Sequence, residues 1–237
     1  MGTYKEIHGT QIEIVSSNPS NPVEGQVWYN TTDSKLRGNK LTTAGSWSTI
    51  TSLNTARDQV AGAGSTTSAL VFGENFGGET ELWNGSTWTE KNDLNTPRRA
   101  LAGAGASGTA ALAFGGNLAH PSPNAAADVT ENFDGTNWTE VNDLNSGRNA
   151  LSGAGTDSTS ALAFGAESPS PTKAFTESWN GTNWTEVADL GTGRAKSFGT
   201  GASNTSALAF GGEVPPVTAA TEEWTAPTIT TREFTVS

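Results

Sequence analysis

Four arginines recur at one place in a repeated sequence, and they are the polar side chains best suited to recognise a ligand. They end the segments LNTAR, LNTPR, LNSGR and LGTGR, at Arg57, Arg98, Arg148 and Arg194. A guanidinium group forms forked hydrogen bonds with carboxylates and hydroxyls, so one interpretation is an anion- or sugar-binding mouth. In the other interpretation, each arginine pairs with the Asp that precedes it, or with a neighbouring repeat, and holds the array together. The repetition in every unit favours this structural interpretation.

Acidic side chains repeat with the same phase. One set occupies the third predicted strand of each unit, at Glu81, Glu131, Glu177 and Glu222. A second set follows the fourth strand, at Asp93, Asp143 and Asp189. Equivalent positions in successive units are spread around a ring, so we expect rings of carboxylates and not clusters. Calcium binding needs several oxygens that converge on one ion, so we predict no metal site and no cofactor.

No catalytic constellation is visible. The chain has two histidines, His8 in the N-terminal segment and His120 in an insertion, and neither has an acid and a hydroxyl at a recognisable spacing. The glycine-rich segments GAGAS and GTGAS lack the Lys-Ser/Thr of a phosphate loop, so we interpret these glycines as packing residues. We therefore predict a protein that is not an enzyme. The candidate binding residues are the four arginines with His120 and Lys173, which lie in variable loops.

These residues are positioned by a repeat of about one propeller blade in length. The repeat starts at Trp47, Trp88, Trp138 and Trp184, which gives spacings of 41, 50 and 46 residues. From Leu53 onward each unit divides into four predicted strands. The first contains Gly-x-Gly, the second is SALAF or a close variant, and the third ends in Trp or Phe. The fourth begins at the repeat Trp after an Asn-Gly or Asp-Gly hairpin turn.

The variable part of each unit follows the second strand. Strands alternate in direction, so the Arg-bearing connection and the connection from strand two to strand three must emerge on the same face. The longer connections are Asn117–Ala127, Glu167–Lys173 and Glu213–Thr218. Loops of unequal length on a constant scaffold are typical of recognition surfaces.

Composition excludes several classes of function. The 237 residues carry a formal charge of −11, which disfavours binding to nucleic acid or to an anionic membrane surface. There is no cysteine, so disulfides and thiolate metal sites are excluded. The sequence shows no signal peptide and no transmembrane span, and we expect synthesis in a cytoplasm. Hydrophobic content is only 34%, but periodically placed Trp and Phe can still build a core.

The N-terminal part stands apart from the repeats. We expect residues 1–25 to be an attachment arm that contains a short strand at Ile12–Val15. Residues 26–52 are predicted to form a three-stranded meander of QVWYN, SKLRG and SWSTI, and residues 53–237 to form the four repeats. The last unit lacks its Asn-Gly turn, although TITTREFTV could supply a closing strand. Two ring closures follow: five blades, with the meander as the fifth, or four blades, with Trp47–Ser52 completing the last. The strand count favours five.

The Arg-led first strand, the glycine after the second strand and the Trp after an aromatic-Asn/Asp-Gly turn resemble a degenerate kelch motif over roughly residues 47–225. The resemblance implies an all-β, kelch-like β-propeller. The double glycine of kelch units survives only at Gly115-Gly116 and Gly211-Gly212. The segment GQVWYNTTDSKLRG, followed by these repeats, is also similar to structural and tail-appendage proteins of tailed bacteriophages, particularly marine cyanophages.

The phage resemblance implies a place in the virion after synthesis in the host cytoplasm. The expected function is a non-enzymatic tail-fibre or appendage protein, present in several copies, that contacts other virion proteins or a host cell-surface glycan. One alternative is a capsid or neck decoration or adaptor protein without a host ligand. Another is a polysaccharide-degrading enzyme, which would need paired carboxylates about 5–10 Å apart in a cleft. The ring-like spacing of the glutamates argues against this enzyme.

Overall fold

A computed structural model of the chain describes residues 12–21, 26–38, 47–74, 77–118, 125–167, 171–214 and 216–227. These residues form twenty strands and no helix, which confirms the predicted all-β class. The chain divides into two compact units, Met1–Thr49 and Ile50–Ser237, which are described in turn. The sequence predicts that residues 26–52 belong with the repeats, and this assignment stays a prediction.

The first unit contains a three-stranded sheet. Its strands are β1 (Glu13–Val15), β2 (Val27–Asn30) and β3 (Lys35–Gly38), in the order β1-β2-β3. The predicted hairpin of β2 and β3 is confirmed, and the Asn30 side chain accepts the Thr32 N–H at 2.9 Å in its turn. The predicted third strand, SWSTI, was wrong: residues 47–50 form no strand, and β1 pairs with β2 in parallel instead.

The Asn18 side-chain amide stabilises this parallel pairing. The Asn18 Oδ1 accepts hydrogen bonds from the Trp28 Nε1–H at 3.2 Å and from the Asn30 Nδ2–H at 3.0 Å. Both Trp28 and Asn30 are buried, so the connector after β1 is fixed against the middle strand. In this Pro- and Asn-rich connector, Asn18 therefore bonds to the neighbouring strand as well as favouring a turn.

The described part of the second unit contains four sheets of three or four strands, one for each sequence repeat, and a small two-stranded sheet. Sheet 1 consists of β4 (Ala61–Ser65), β5 (Ser68–Phe72), β6 (Thr80–Trp83) and β7 (Trp88–Lys91). Between it and the next sheet in the chain comes the short strand β8 (Arg98–Arg99). Sheet 2 consists of β9 (Ala102–Ser107), β10 (Ala110–Phe114), β12 (Thr130–Phe133) and β13 (Trp138–Val141), and β11 (Asn117–Leu118) pairs with β8. Sheet 3 consists of β14 (Ser152–Asp157), β15 (Ser160–Ala166), β16 (Lys173–Trp179) and β17 (Trp184–Glu186).

Sheet 4 has three strands in the described part of the chain. They are β18 (Phe198–Ser203), β19 (Ser206–Phe210) and β20 (Thr221–Thr225). All four sheets are antiparallel, with neighbours in chain order, as the strand assignment predicted. The predicted closing strand TITTREFTV lies outside the described residues from 228 onward. The predicted Asn-Gly hairpins are confirmed: the Asn84 side chain, for example, accepts the Ser86 and Thr87 N–H groups at 2.9 and 3.0 Å.

The core lies between successive sheets. The front face of a sheet, which carries the second-strand phenylalanine, packs on the opposite or rear face of the following sheet. We call each such contact a junction. At the first junction, Phe72 of sheet 1 meets Trp138 of sheet 2 with 4.9 Å between ring centroids. A Cβ on Gly103 would lie only 2.7 Å from the Phe72 ring, so this first-strand position must be glycine. The predicted packing role of the Gly-x-Gly motif is confirmed here.

The second junction repeats the first. Phe114 lies 5.0 Å from Trp184, and Gly153 sits against Phe114 as Gly103 sits against Phe72. The tryptophan Nε1–H groups donate to buried threonines of the preceding sheet, from Trp138 to Thr80 at 2.9 Å and from Trp184 to Thr130 at 3.0 Å. Trp138 and Trp184 thus each fix their own sheet to the preceding one.

Candidate functional site

The two ends of the repeat sheets carry different connections. At one end, two-residue turns join first and second strands, and Asn-Gly or Asp-Gly turns join third and fourth strands. We call this end the hairpin face. At the other end, which we call the loop face, the connections from second to third strand vary in length, over 73–79, 115–129, 167–172 and 211–220. The Arg-bearing segments lie at this end too, because the Arg98 Nη1 donates to the carbonyls of Gly115 and Val129 at 2.8 and 2.6 Å.

Arg98 shows how the repeated arginine is used. Its guanidinium is fully buried and pairs with Glu131 of the same repeat at 2.9 Å. The Glu131 carboxylate also accepts the Asn95 and Thr96 backbone N–H groups at 2.7 and 3.3 Å. Burial lowers the pKa of Arg98 below its usual range, and the negative charge of Glu131 opposes that change. Because the pair is buried, loss of any of these hydrogen bonds would lower the stability of the fold.

The other three arginines occupy the same place. Arg57 pairs with Glu81, Arg148 with Glu177 at 3.1 Å, and Arg194 with Glu222. The arginine side chains are at most 1% exposed, so a ligand could reach them only if an ion pair opened. The pairs differ in geometry, since the contact between Arg148 and Glu177 lacks hydrogen-bond alignment. Among the described residues, the Arg148 Nε and Nη1 atoms have no hydrogen-bond partner. Burial lowers the pKa of Arg148 as well.

The arginine partner differs from the predicted aspartate. Each arginine pairs with the third-strand glutamate that follows it in the chain, which the sequence analysis treated as a separate ring. Two of the aspartates bond to the third strand instead: the Asp143 side chain accepts the Thr130 N–H at 3.0 Å and the Asp189 side chain accepts the Thr176 N–H at 3.1 Å. The shared phase of the Arg and Glu positions was the signal that could have identified this pairing.

Of the other two candidate binding residues, Lys173 lies beside Arg194, whose backbone N–H donates to the Lys173 carbonyl at 3.1 Å. Lys173 begins β16, and its Nζ lies 5.8 Å from the centre of the Phe175 ring, in cation–π range. His120 lies outside the described residues. Of the five candidates within the described residues, each arginine side chain is held in its own ion pair with a glutamate.

A hydrogen-bonded chain that the sequence analysis missed runs around the loop face. One residue in each repeat, two positions after the arginine, adopts a left-handed backbone: Gln59, Ala100, Ala150 and Lys196 have φ of 56°, 49°, 50° and 52°. The Ala100 N–H donates to the Gln59 carbonyl, Ala150 to Ala100 and Lys196 to Ala150, at 2.9–3.0 Å. The residue types differ, so no sequence pattern marks this position.

The four repeat sheets also share a channel. The first strands of all four sheets line a cavity of about 340 Å³, with glycines such as Gly62, Gly105 and Gly199 on its wall. Few side chains enter the channel, so its wall is mostly backbone and offers little chemistry.

The described loops at the loop face carry several charged and polar side chains. The Lys196 Nζ lies between Glu167 and Glu213, at 3.4 and 2.9 Å, and these three side chains are about half exposed. A hydrogen bond to Glu213 and the charge of Glu167 raise the pKa of Lys196. In the loop of sheet 1, burial and a hydrogen bond to Glu79 raise the pKa of Glu74. The loop face can thus offer both hydrogen-bond donors and acceptors to a polar partner.

Within the described residues, no group of three or more His, Cys, Asp or Glu is placed to hold a metal ion. None of the described segments is a helix long and apolar enough to cross a membrane. Comparison with models of known protein families gives no match, and comparison with curated proteins gives none either.

Proposed function

We propose that this chain is a non-enzymatic virion protein of a tailed bacteriophage, in which a kelch-like β-propeller presents its loop face to another macromolecule. The partner is a host cell-surface glycan or a neighbouring virion protein. The resemblance of the N-terminal GQVWYNTTDSKLRG segment and of the repeats supports the virion context. The arrangement of the repeat unit supports the mode of action.

The observation that carries this proposal is the division between constant and variable parts. The Arg–Glu pairs and the inter-sheet aromatic contacts recur, whereas the second-to-third-strand connections differ in length, from the short 167–172 to the long 115–129. All of these connections lie at the end of the sheets that the buried arginines stabilise. Rigid scaffolds with unequal loops at one end bind partners through the loops, since rigidity lowers the entropic cost of binding.

The ring is proposed with about five blades, of which four are the repeat sheets and one comes from residues 26–52. In the alternative, the ring has four blades and Trp47–Ser52 completes the last one. The side-by-side first strands around a common channel support a propeller in either case.

The loop face suits a polar partner. Its exposed groups are mixed carboxylates and a lysine, such as Glu167, Glu213 and Lys196. Sugars bind through hydroxyl groups to side chains of this kind, and a protein partner could pair with the same charges. If no glycan binds, the architectural alternative, a decoration or adaptor protein without a host ligand, gains support.

A glycan array with the purified full chain tests the proposal. We expect binding that is lost when Glu167 and Glu213 are both changed to Lys, because this reverses the charge beside Lys196. The matched control is Asp134→Lys on the hairpin face, which should keep binding. Loss of binding in both variants would contradict recognition by the loop face. Release of reducing sugar from host polysaccharide by the wild-type protein would contradict the non-enzymatic role.

A further inference from the structure

Two buried asparagines on the loop face have side-chain oxygens without a hydrogen-bond donor. Asn117 begins β11, and Asn149 directly follows Arg148. The two residues are only 8% and 7% exposed. Within the described residues, nothing donates a hydrogen bond to the Oδ1 atom of either side chain. Buried polar groups of folded proteins are almost always bonded, so two unbonded acceptors in one region point to a partner from outside the chain.

The two asparagines lie on adjoining segments of the loop face. The Gly116 N–H donates to the Arg148 carbonyl at 2.9 Å, and Asn117 and Asn149 are the next residues of these two segments. On the other side, the Glu167 N–H donates to the Asn149 carbonyl at 2.9 Å. The two amides therefore adjoin the segment that carries the exposed Glu167 carboxylate.

The structural asparagines of the repeats behave differently. Asn145 donates its Nδ2–H to the buried Glu177 at 2.8 Å, and Asn95 donates to Glu131 at 3.0 Å at the same place in the preceding repeat. A structural part recurs in this way from unit to unit. The pair formed by Asn117 and Asn149 does not recur in the sequence, since the corresponding pairs are Asn75 with Arg99 and Glu167 with Ala195. This difference favours a role in recognition over a role in the fold.

The unbonded atoms determine the class of ligand. An amide oxygen accepts hydrogen bonds, so its partner must donate one, which fully ionised phosphate, sulfate and carboxylate groups cannot do. The formal charge of −11 and the nearby Glu167 carboxylate also disfavour an anion. A hydroxyl group both donates and accepts, so it can bond to the oxygen and the nitrogen of amide side chains. Neutral sugars carry such hydroxyl groups on adjacent ring carbons.

We propose that the Asn117 and Asn149 side chains bind hydroxyl groups of a neutral glycan at the loop face. The inference rests on the proposed function with a glycan as the partner, and it names the recognition residues and the class of sugar. No hydrogen bond holds either Oδ1 atom, and the last side-chain torsion of asparagine is broad, so rotation can present the oxygen to a ligand. The four arginines differ in this respect, because their ion pairs would have to open.

The stability of the unliganded protein is the first test. Asn117→Leu combined with Asn149→Leu replaces both amides by apolar side chains of similar size. A buried acceptor without a donor lowers stability, so the double variant should melt at the wild-type temperature or above it, as followed by circular dichroism. A lower melting temperature would overturn the proposal, because it would show that the amides are bonded within the chain.

Asn204→Leu on the hairpin face is the matched control. The Asn204 amide accepts a hydrogen bond from the Ser160 Oγ–H at 3.0 Å and donates one to the Trp179 carbonyl at 2.9 Å. Its loss leaves a bonded partner unsatisfied, so this variant should melt below the wild-type protein. The two asparagine-to-leucine changes should therefore have opposite effects, or the double variant should show none.

Binding of the purified full chain to an array of neutral and acidic glycans is the second test. The wild-type protein should bind neutral glycans. The double variant should bind them about tenfold to a hundredfold more weakly, because the sugar hydroxyls lose their partners. Asn204→Leu should bind like the wild-type protein at a temperature where it is folded.

The outcomes separate this inference from the proposed function. Equal binding by the wild-type protein and the double variant, or binding to acidic glycans alone, would overturn the role of the two amides and leave a glycan-binding virion protein intact. Absence of binding by the wild-type protein to every glycan would contradict both the inference and the glycan partner.

Discussion

Sheets 3 and 4 contain the same five-residue segment, SALAF, at Ser160–Phe164 and Ser206–Phe210. In β15 the side chains of both faces are buried, because sheet 2 lies behind the strand and sheet 4 in front. In β19 burial alternates: Ala207 and Ala209 are buried against sheet 3, whereas Leu208 and Phe210 are exposed. The difference lies in the neighbouring sheets and not in the segment. The same residues should therefore have different energetic roles in the middle and at the end of the array.

The ion pairs provide the largest test of this difference. Glu131 is fully buried, but the Glu222 side chain is 30% exposed. Glu131→Gln leaves Arg98 buried without its counter-charge and should lower the free energy of unfolding by about 3–5 kcal/mol. Glu222→Gln should cost less, about 1.5–3 kcal/mol, since the Glu222 carboxylate is partly exposed and water already reaches that side of the pair, although Arg194 itself is buried. Urea denaturation measures both, and equal losses would show that the end of the array is as closed as its middle.

The aromatic residues provide the second test. Phe114→Ala removes a fully buried ring from the junction with Trp184 and should cost about 3–5 kcal/mol. Phe210→Ala, measured on dilute protein, should cost less than about 2 kcal/mol because the ring is already 40% exposed. A loss at Phe210 as large as that at Phe114 would mean that another part of the same chain covers sheet 4.

The threonines provide a finer test. Thr130→Val preserves the side-chain shape but leaves the buried Trp184 Nε1–H without its acceptor, at an expected cost of about 1–3 kcal/mol. Thr221→Val removes an exposed hydroxyl and should leave the stability of dilute protein unchanged. The free energy of unfolding should therefore separate two substitutions that look alike in the sequence. A matching loss at Thr221 would contradict an open sheet 4.

The smallest expected effect concerns Lys196 at the loop face. The side chains of Lys196 and its two glutamates are about half exposed, so Lys196→Met should cost less than about 1 kcal/mol. Pairing raises the pKa of Lys196 in the folded state. Its contribution is thus complete below the ordinary lysine pKa and is lost as pH rises through the folded value. Thermal melts of wild type and variant should converge at high pH, and a difference that grows there would contradict the pairing.

Much of the repeat architecture could be predicted from the sequence. Local signals marked the strands. Asn-Gly and Asp-Gly turns marked the hairpin between the third and fourth strands of each repeat, and glycine spacing marked the first strand. The Arg–Glu partnership was missed because it joins residues that are about thirty positions apart, and no local rule connects them. In the N-terminal unit, the β-forming residues of SWSTI predicted a third meander strand. Instead, β1 pairs with β2 in parallel, and the Asn18 side chain stabilises this pairing.

By itself, the sequence determined the all-β class, the four strand-forming repeats and the turns between their strands, because these depend on contacts within a few residues. The tertiary structure alone decided how the repeats are used. It buried the arginines on glutamates, set a left-handed residue after each arginine, and left Phe198, Leu208 and Phe210 uncovered at the end of the array. These features depend on which sheet lies next to which, and identical segments such as the two copies of SALAF carry no information about their neighbours.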